Sequence, residues 1–216
     1  AAGTRWTAPG ALLAAGLNLL KILILTRFLE KTDFALVALS GIIISTGLLL
    51  QESGINAALV QRTATSRHDW PSLTGANLLT GVLLWVMALL AGLLFSLFYA
   101  LPALITLNGM YALVFLLNGA GLTHRMLLQK ELLFKELTLG ELAGVLAGFG
   151  MAWWLAWRQA GAYALVGGWL TQFLVANLYF LFAGKKLFGW QISLNFRLLK
   201  PYLADAREFW LERLTT

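Results

Sequence analysis

The chain has 216 residues, 59% of them hydrophobic and only 12% charged, with a mean hydropathy of +0.76; a soluble domain carries about twice that charged share. Its length leaves room for roughly six membrane-crossing helices with short connections and no separate soluble domain. The absence of cysteine and the presence of only two histidines, His68 and His124, exclude disulfides and thiolate chemistry and argue against a metal or cofactor, while the net charge of +6 reads as membrane topology signals rather than nucleic-acid contact.

In chain order, the sequence opens on AAGTRWT without a methionine, which suggests a trimmed start. The first apolar run, Pro9 to Phe34, is too long and too polar in its middle for a signal-peptide core. It carries Asn18, Lys21 and Arg27. At 1.5 Å per residue, counting from Pro9 places Lys21 roughly 18 Å deep in a hydrocarbon core about 30 Å thick. A charge at that depth costs about 2.5–3.5 kcal/mol and generally faces a bundle interior or a wet cavity. The plainer reading is that Lys21 snorkels or meets a carbonyl and that Arg27 is an interfacial anchor.

The second span runs from Phe34 to about Leu50. Glu52 falls about 27 Å further down by helical rise, so it is a poor partner for Lys21, and at the level of Lys21 the second span offers only Ser40 and Ser45 near Ile42. Lys21 therefore has no counter-charge within this hairpin. The third span runs from about Leu73 to Leu101 and ends in aromatics, with Pro102 breaking it. The fourth, about Ile105 to Leu122, contains Asn118 and leads into the charged stretch HRMLLQKELLFKEL. In the fifth, about Leu137 to Trp157, Gly140, Gly144 and Gly148 repeat along one face, which marks a close helix contact, and Trp153, Trp154 and Trp157 mark an interface. The sixth, about Ala162 to Phe182, contains Gln172 and Asn177. Residues 204–216 carry too many charges to span and read as an amphipathic cytoplasmic tail or the aborted start of a seventh helix. The fold class is all-α, a polytopic membrane protein with one six-helix lobe over residues 1–203.

Basic residues set the orientation. Arg5, Arg62, Arg67, Arg125, Lys130, Lys135, Lys185, Lys186, Arg197, Lys200, Arg207 and Arg213 fall on one side of this layout, against Arg27, Lys31 and Arg158 on the other. Both ends are then cytoplasmic. Glu131, Glu136 and Glu141 lie among lysines and read as helix-surface pairs, and Asp33 and Asp69 lie on opposite sides. No carboxylate cluster suited to a membrane enzyme is evident, so the chain is not read as one.

The segment LTRFLEKTDFALVAL resembles the link between the first two helices of the Wzx-type polysaccharide transporter branch of the multidrug/oligosaccharidyl-lipid/polysaccharide flippase superfamily. SGINAALVQR (Ser53 to Arg62), THRMLLQKELLFKEL (Thr123 to Leu137) and GAYALV (Gly161 to Val166) are similar to further family segments, in the same order and spacing. The resemblance covers about Gly3 to Leu203 and corresponds to the first six of the family's twelve to fourteen helices, the N-terminal lobe of a MATE-like flippase. Lys31 and Ala35 stand where the family commonly has proline and glycine.

This resemblance implies flipping of an undecaprenyl-diphosphate-linked oligosaccharide across the bacterial inner membrane for lipopolysaccharide or exopolysaccharide synthesis. It also implies a second lobe or a homodimer, with membrane lipids, a polysaccharide polymerase and glycosyltransferases as further partners. A cationic cavity suits the diphosphate, and Lys21, Arg27, Asn18, Asn118 and Gln172 are the substrate-binding candidates. Arg27 matches the family's arginine before the Asp-Phe pair, whereas Lys21 rests on its depth alone. Arg62, Arg125, Gln129, Lys130 and Lys135 are candidates for a cytoplasmic gate or for contact with anionic lipid. The competing reading is a non-transporting membrane partner that assembles envelope-polysaccharide machinery.

Overall fold

The computed structural model of the chain describes residues 4–53 and 70–189. Seven helical segments follow one another: α1 (Thr4–Leu25), α2 (Lys31–Ser53), α3 (Trp70–Tyr99), α4 (Ala103–Tyr111), α5 (Leu113–Lys130), α6 (Phe134–Trp157) and α7 (Ala162–Phe188). No strand occurs among the described residues. Among the described residues six helices are long and apolar enough to cross a membrane, with α4 and α5 together forming one crossing from Ala103 to Lys130. In a bilayer each backbone polar group must be satisfied within its own segment, which is why apolar runs of this length become helices. The protein is an all-α polytopic membrane protein.

Local chemistry sets the joints. α1 ends at Leu25 in a hydrogen-bonded turn, where Thr26 N–H donates to Ile22 O and Leu29 N–H to Leu25 O, both at 3.0 Å. α2 starts at Lys31, and Asp33 in its first turn reaches back to accept the Glu30 N–H at 3.0 Å, half of a capping box. Between α4 and α5, Ala112 keeps right-handed angles (φ −62°, ψ −17°) and its N–H still donates to Asn108 O at 2.8 Å, so the joint is a bend rather than a break. The fourth span expected to stop near Leu122 runs on to Lys130, and the stretch HRMLLQK is helical. It stays helical because its Leu127 and Leu128 are buried.

Two apolar cores hold the bundle together. One gathers Leu25 and Leu29 from the α1 end, Ala152 and Ala156 from α6, and Ala164 and Leu165 from α7. The other joins Ile44 of α2, Leu84 and Ala88 of α3, Leu107 and Tyr111 of α4, Val114 and Phe115 of α5, and Val166 of α7. α7 contributes to both, so it is the hub on which the two halves of the bundle meet. The glycine ladder is the contact with that hub. A Cβ at Gly144 or Gly148 would lie 2.6 Å from the backbone oxygen of Gln172 or Gly168, and the same buried stripe continues through Ala152 and Ala156. Small residues every fourth position let the two backbones approach.

The outer faces are apolar and exposed: Leu12, Leu19 and Leu23 on α1, and Leu94, Leu97 and Phe98 on α3. Such surface is unfavourable in water and favourable against lipid tails. Trp153, Trp154 and Trp157 are exposed at the end of α6, where Arg158 lies 5.4 Å over the Trp154 ring, as expected for a membrane–water boundary. Arg62 and the stretch 204–216 lie outside the described residues.

Candidate functional site

A partly open cavity of about 220 Å³ lies among α1, α5, α6 and α7. Four helices build it: α1 gives Ala14 and Asn18, α5 gives Asn118 and Arg125, α6 gives Glu141 and Val145, and α7 gives Gln172, Phe173, Ala176, Asn177 and Phe180. The bundle thus brings Asn18, Asn118, Gln172 and Arg125, named from widely separated spans, into one wall.

Its polar groups are held from behind. Asn118, 1% exposed, donates through Nδ2 to Gln51 Oε1 at 3.1 Å, and Gln51 Nε2 in turn donates to the Phe115 carbonyl at 3.1 Å. Gln51 reaches this position because Gly81 and Gly119 leave space for it; a Cβ at Gly119 would lie 3.2 Å from its Nε2. Nearby, Asn77 Nδ2 donates to Thr123 Oγ1 at 2.9 Å. Asn177 donates to the Phe173 carbonyl at 2.8 Å. The side-chain oxygens of Asn18 and Asn177 are buried without a hydrogen-bond partner. Buried acceptors left open are costly, so the cavity is suited to water or to a polar ligand with donors of its own.

Lys21 sits against this wall from α1. It is 3% exposed, its Nζ donates to Gln172 Oε1 at 3.3 Å, and the ammonium lies 5.1 Å over the Trp169 ring. Among the described residues it has no carboxylate partner. The carboxamide and the ring face spread the positive charge without cancelling it. Arg27 is not part of this arrangement: it is exposed in the turn after α1.

At the end of the cavity formed by the C-termini of α2 and α5 and the start of α6, Arg125 divides its guanidinium between two carboxylates. Nη1 lies 3.3 Å from Glu52 Oε1 and Nη2 lies 3.2 Å from Glu141 Oε1. Gln129 and Lys135 are exposed and Lys130 is half-buried. Glu136 and Glu141, expected to pair along their own helix surface, reach other helices: Glu136 accepts from Tyr179 Oη at 2.6 Å and Glu141 from Arg125. Helix periodicity gives the face of a residue but not the neighbour across the bundle, which is why these pairings differ from the expectation.

Gln51, Glu52, Glu141, Trp169 and Asn177 are site residues to which the sequence reading assigned no site role. Gln51 stands near the end of an apolar run, where a polar residue reads as an exit signal; only the glycines opposite it make it a buried one. No group of His, Cys, Asp or Glu able to hold a metal occurs among the described residues.

Fold and site together define a polytopic membrane protein whose helices enclose a cavity lined by carboxamides and an arginine–glutamate pair, with the buried Lys21 beside it. Residues 24–204 match the polysaccharide biosynthesis protein family, and the chain belongs to that family, in keeping with its likeness to Wzx-type polysaccharide transporters. It is 28% identical over 186 residues to the lipopolysaccharide biosynthesis protein WzxC of Escherichia coli K12, covering 86% of this chain and 38% of that protein. It is 27% identical to a membrane protein in the cps region of Klebsiella pneumoniae, with 86% and 38% covered, and 26% identical to the teichuronic acid biosynthesis protein TuaB of Bacillus subtilis 168, with 68% and 31% covered. The chain thus spans less than two-fifths of the length of these curated relatives. No solved structure matches it significantly.

Proposed function

We propose that this six-helix chain is one lobe of a transporter that flips an undecaprenyl-diphosphate-linked oligosaccharide across the bacterial inner membrane for polysaccharide export, with both ends of the lobe cytoplasmic. The observation that carries the reading is Lys21, a buried ammonium beside a polar cavity with no described carboxylate to neutralise it. Desolvating a charge is repaid only by a close counter-charge, and a diphosphate supplies one. Gln172, which accepts from Lys21 and lines the cavity, links the ammonium to the space where such a head group would sit. Asn18, Asn118 and Asn177 offer carboxamides suited to sugar hydroxyls. Family membership supports a role in polysaccharide synthesis, and the relatives' greater length supports a complete transporter with a second lobe or a second copy.

Complementation of polymer export in a flippase-deficient strain tests this, using the full-length form that the gene encodes and with protein level measured alongside. Lys21→Ala is expected to abolish export while leaving membrane insertion intact, since it removes an insertion cost of about 2.5 kcal/mol or more. Lys21→Arg is expected to restore part of it, because an arginine keeps the charge. Normal export by Lys21→Ala at normal expression would remove Lys21 from the site, whereas failure of the unaltered full-length form to restore export would leave the assembly-partner reading in its place.

A further inference from the structure

Arg125 is the one guanidinium among the cavity's lining residues, yet it is already engaged by Glu52 from α2 and Glu141 from α6. Its planar fork presents separate N–H groups, a geometry that carboxylate and phosphate oxygens satisfy equally well. Each nitrogen is given to a different carboxylate, and the three groups together carry one net negative charge. All three side chains are partly exposed, at 32% for Arg125, 41% for Glu52 and 49% for Glu141, so solvent screens both pairs and neither is hard to break. Arg125 and Glu141 line the cavity together with Asn118, the partner of Gln51.

We propose that Glu52 and Glu141 are a resident counter-anion: they occupy Arg125 while the cavity is empty and yield it to the phosphate oxygens of an incoming ligand. The proposal rests on the anion-binding reading of the cavity and adds the two carboxylates that control it. In the empty state the net negative triad repels small anions from the mouth. A diphosphate, with several oxygens and more than one negative charge, can take both forks of Arg125 at once, whereas a weak anion cannot offset the loss of two carboxylates. Because the carboxylates belong to α2 and α6, handing over Arg125 also releases two ion pairs that tie those helix ends to α5.

The competition fixes the direction of the test. With the chain in nanodiscs of neutral phosphatidylcholine, inorganic diphosphate titrated by calorimetry is expected to bind several-fold more tightly to Glu141→Gln than to the unaltered chain. The gain should be larger in the Glu52→Gln/Glu141→Gln double variant and be lost when Arg125→Gln is added. A purely structural ion pair predicts the opposite, binding unchanged or weaker, and that result overturns the proposal. If neither the unaltered chain nor the glutamine variants bind diphosphate, the anion-cavity reading itself fails and the counter-anion with it; binding that ignores the carboxylates sinks the counter-anion alone. A second measurement covers variants that fold poorly. The chain has no cysteine, so spin labels on cysteines introduced at the exposed positions Leu50 and Leu139 report the separation of α2 and α6 with the triad intact. Diphosphate should lengthen that distance, and an unchanged distance at saturating diphosphate refutes the release.

Discussion

Asp33 joins two helix starts at one end of the bundle: its Oδ1 accepts the backbone N–H of Ala162 at 2.9 Å, while its Oδ2 accepts that of Glu30. One carboxylate therefore caps the start of α2 and the start of α7, two helices far apart in sequence. Carboxylates at helix N-termini satisfy orphan N–H groups and meet the positive end of the helix dipole. The neighbouring Gly161 has φ +56°, and a Cβ there would lie 2.8 Å from Asp33 Oδ1.

Asp33→Ala should accordingly cost about 1 kcal/mol, the usual worth of a lost cap, seen as a lower thermal midpoint in detergent. Gly161→Ala should cost at least as much, because it combines a left-handed backbone with a steric conflict at the same carboxylate. A Gly161→Ala chain as stable as the unaltered one would show that α7 does not need Asp33 this close.

The ladder on α6 makes a sharper prediction. Gly144→Leu would drive a side chain into the Gln172 carbonyl and into the Ala176 side chain, and there is no slack in two helices packed backbone to backbone. The variant should insert but lose its thermal transition or shift it strongly down, whereas Gly150→Leu should be tolerated because nothing lies within 4 Å of its added Cβ. Equal stability of the two variants would contradict the packing described.

Gln51 tests whether the cavity wall is held from behind. Gln51→Leu leaves Asn118 Nδ2 without this acceptor and takes a second donor from the Phe115 carbonyl, which should cost about 1–3 kcal/mol. A double-mutant cycle with Asn118→Leu should return a coupling near 0.6 kcal/mol, the average for interhelical hydrogen bonds in membranes. Zero coupling would mean that the two side chains act independently.

The topology can be read directly by cysteine accessibility. A single cysteine at Ser66, outside the described residues, should label from the cytoplasmic side, and one at Thr106, exposed near the start of α4, from the other. The reverse pattern would invert every assignment of cytoplasmic and outer ends.

Taken by itself, the sequence determined the number of crossings, their approximate ends and the close contact along Gly140, Gly144 and Gly148. These follow from local quantities: the length of apolar runs against the thickness of a bilayer, and side-chain volume repeated at the helical period. It also singled out Lys21, Asn18, Asn118 and Gln172, because a polar group inside a span is expensive wherever it points. Only the tertiary structure decided what those groups meet. Lys21 finds Gln172 across 151 positions and Arg125 finds Glu52 across 73. Such pairings depend on the rotation and tilt of whole helices packed around α7, which neither periodicity nor hydropathy encodes. The same rotation turned Glu141 toward α5 and buried Gln51 behind Asn118.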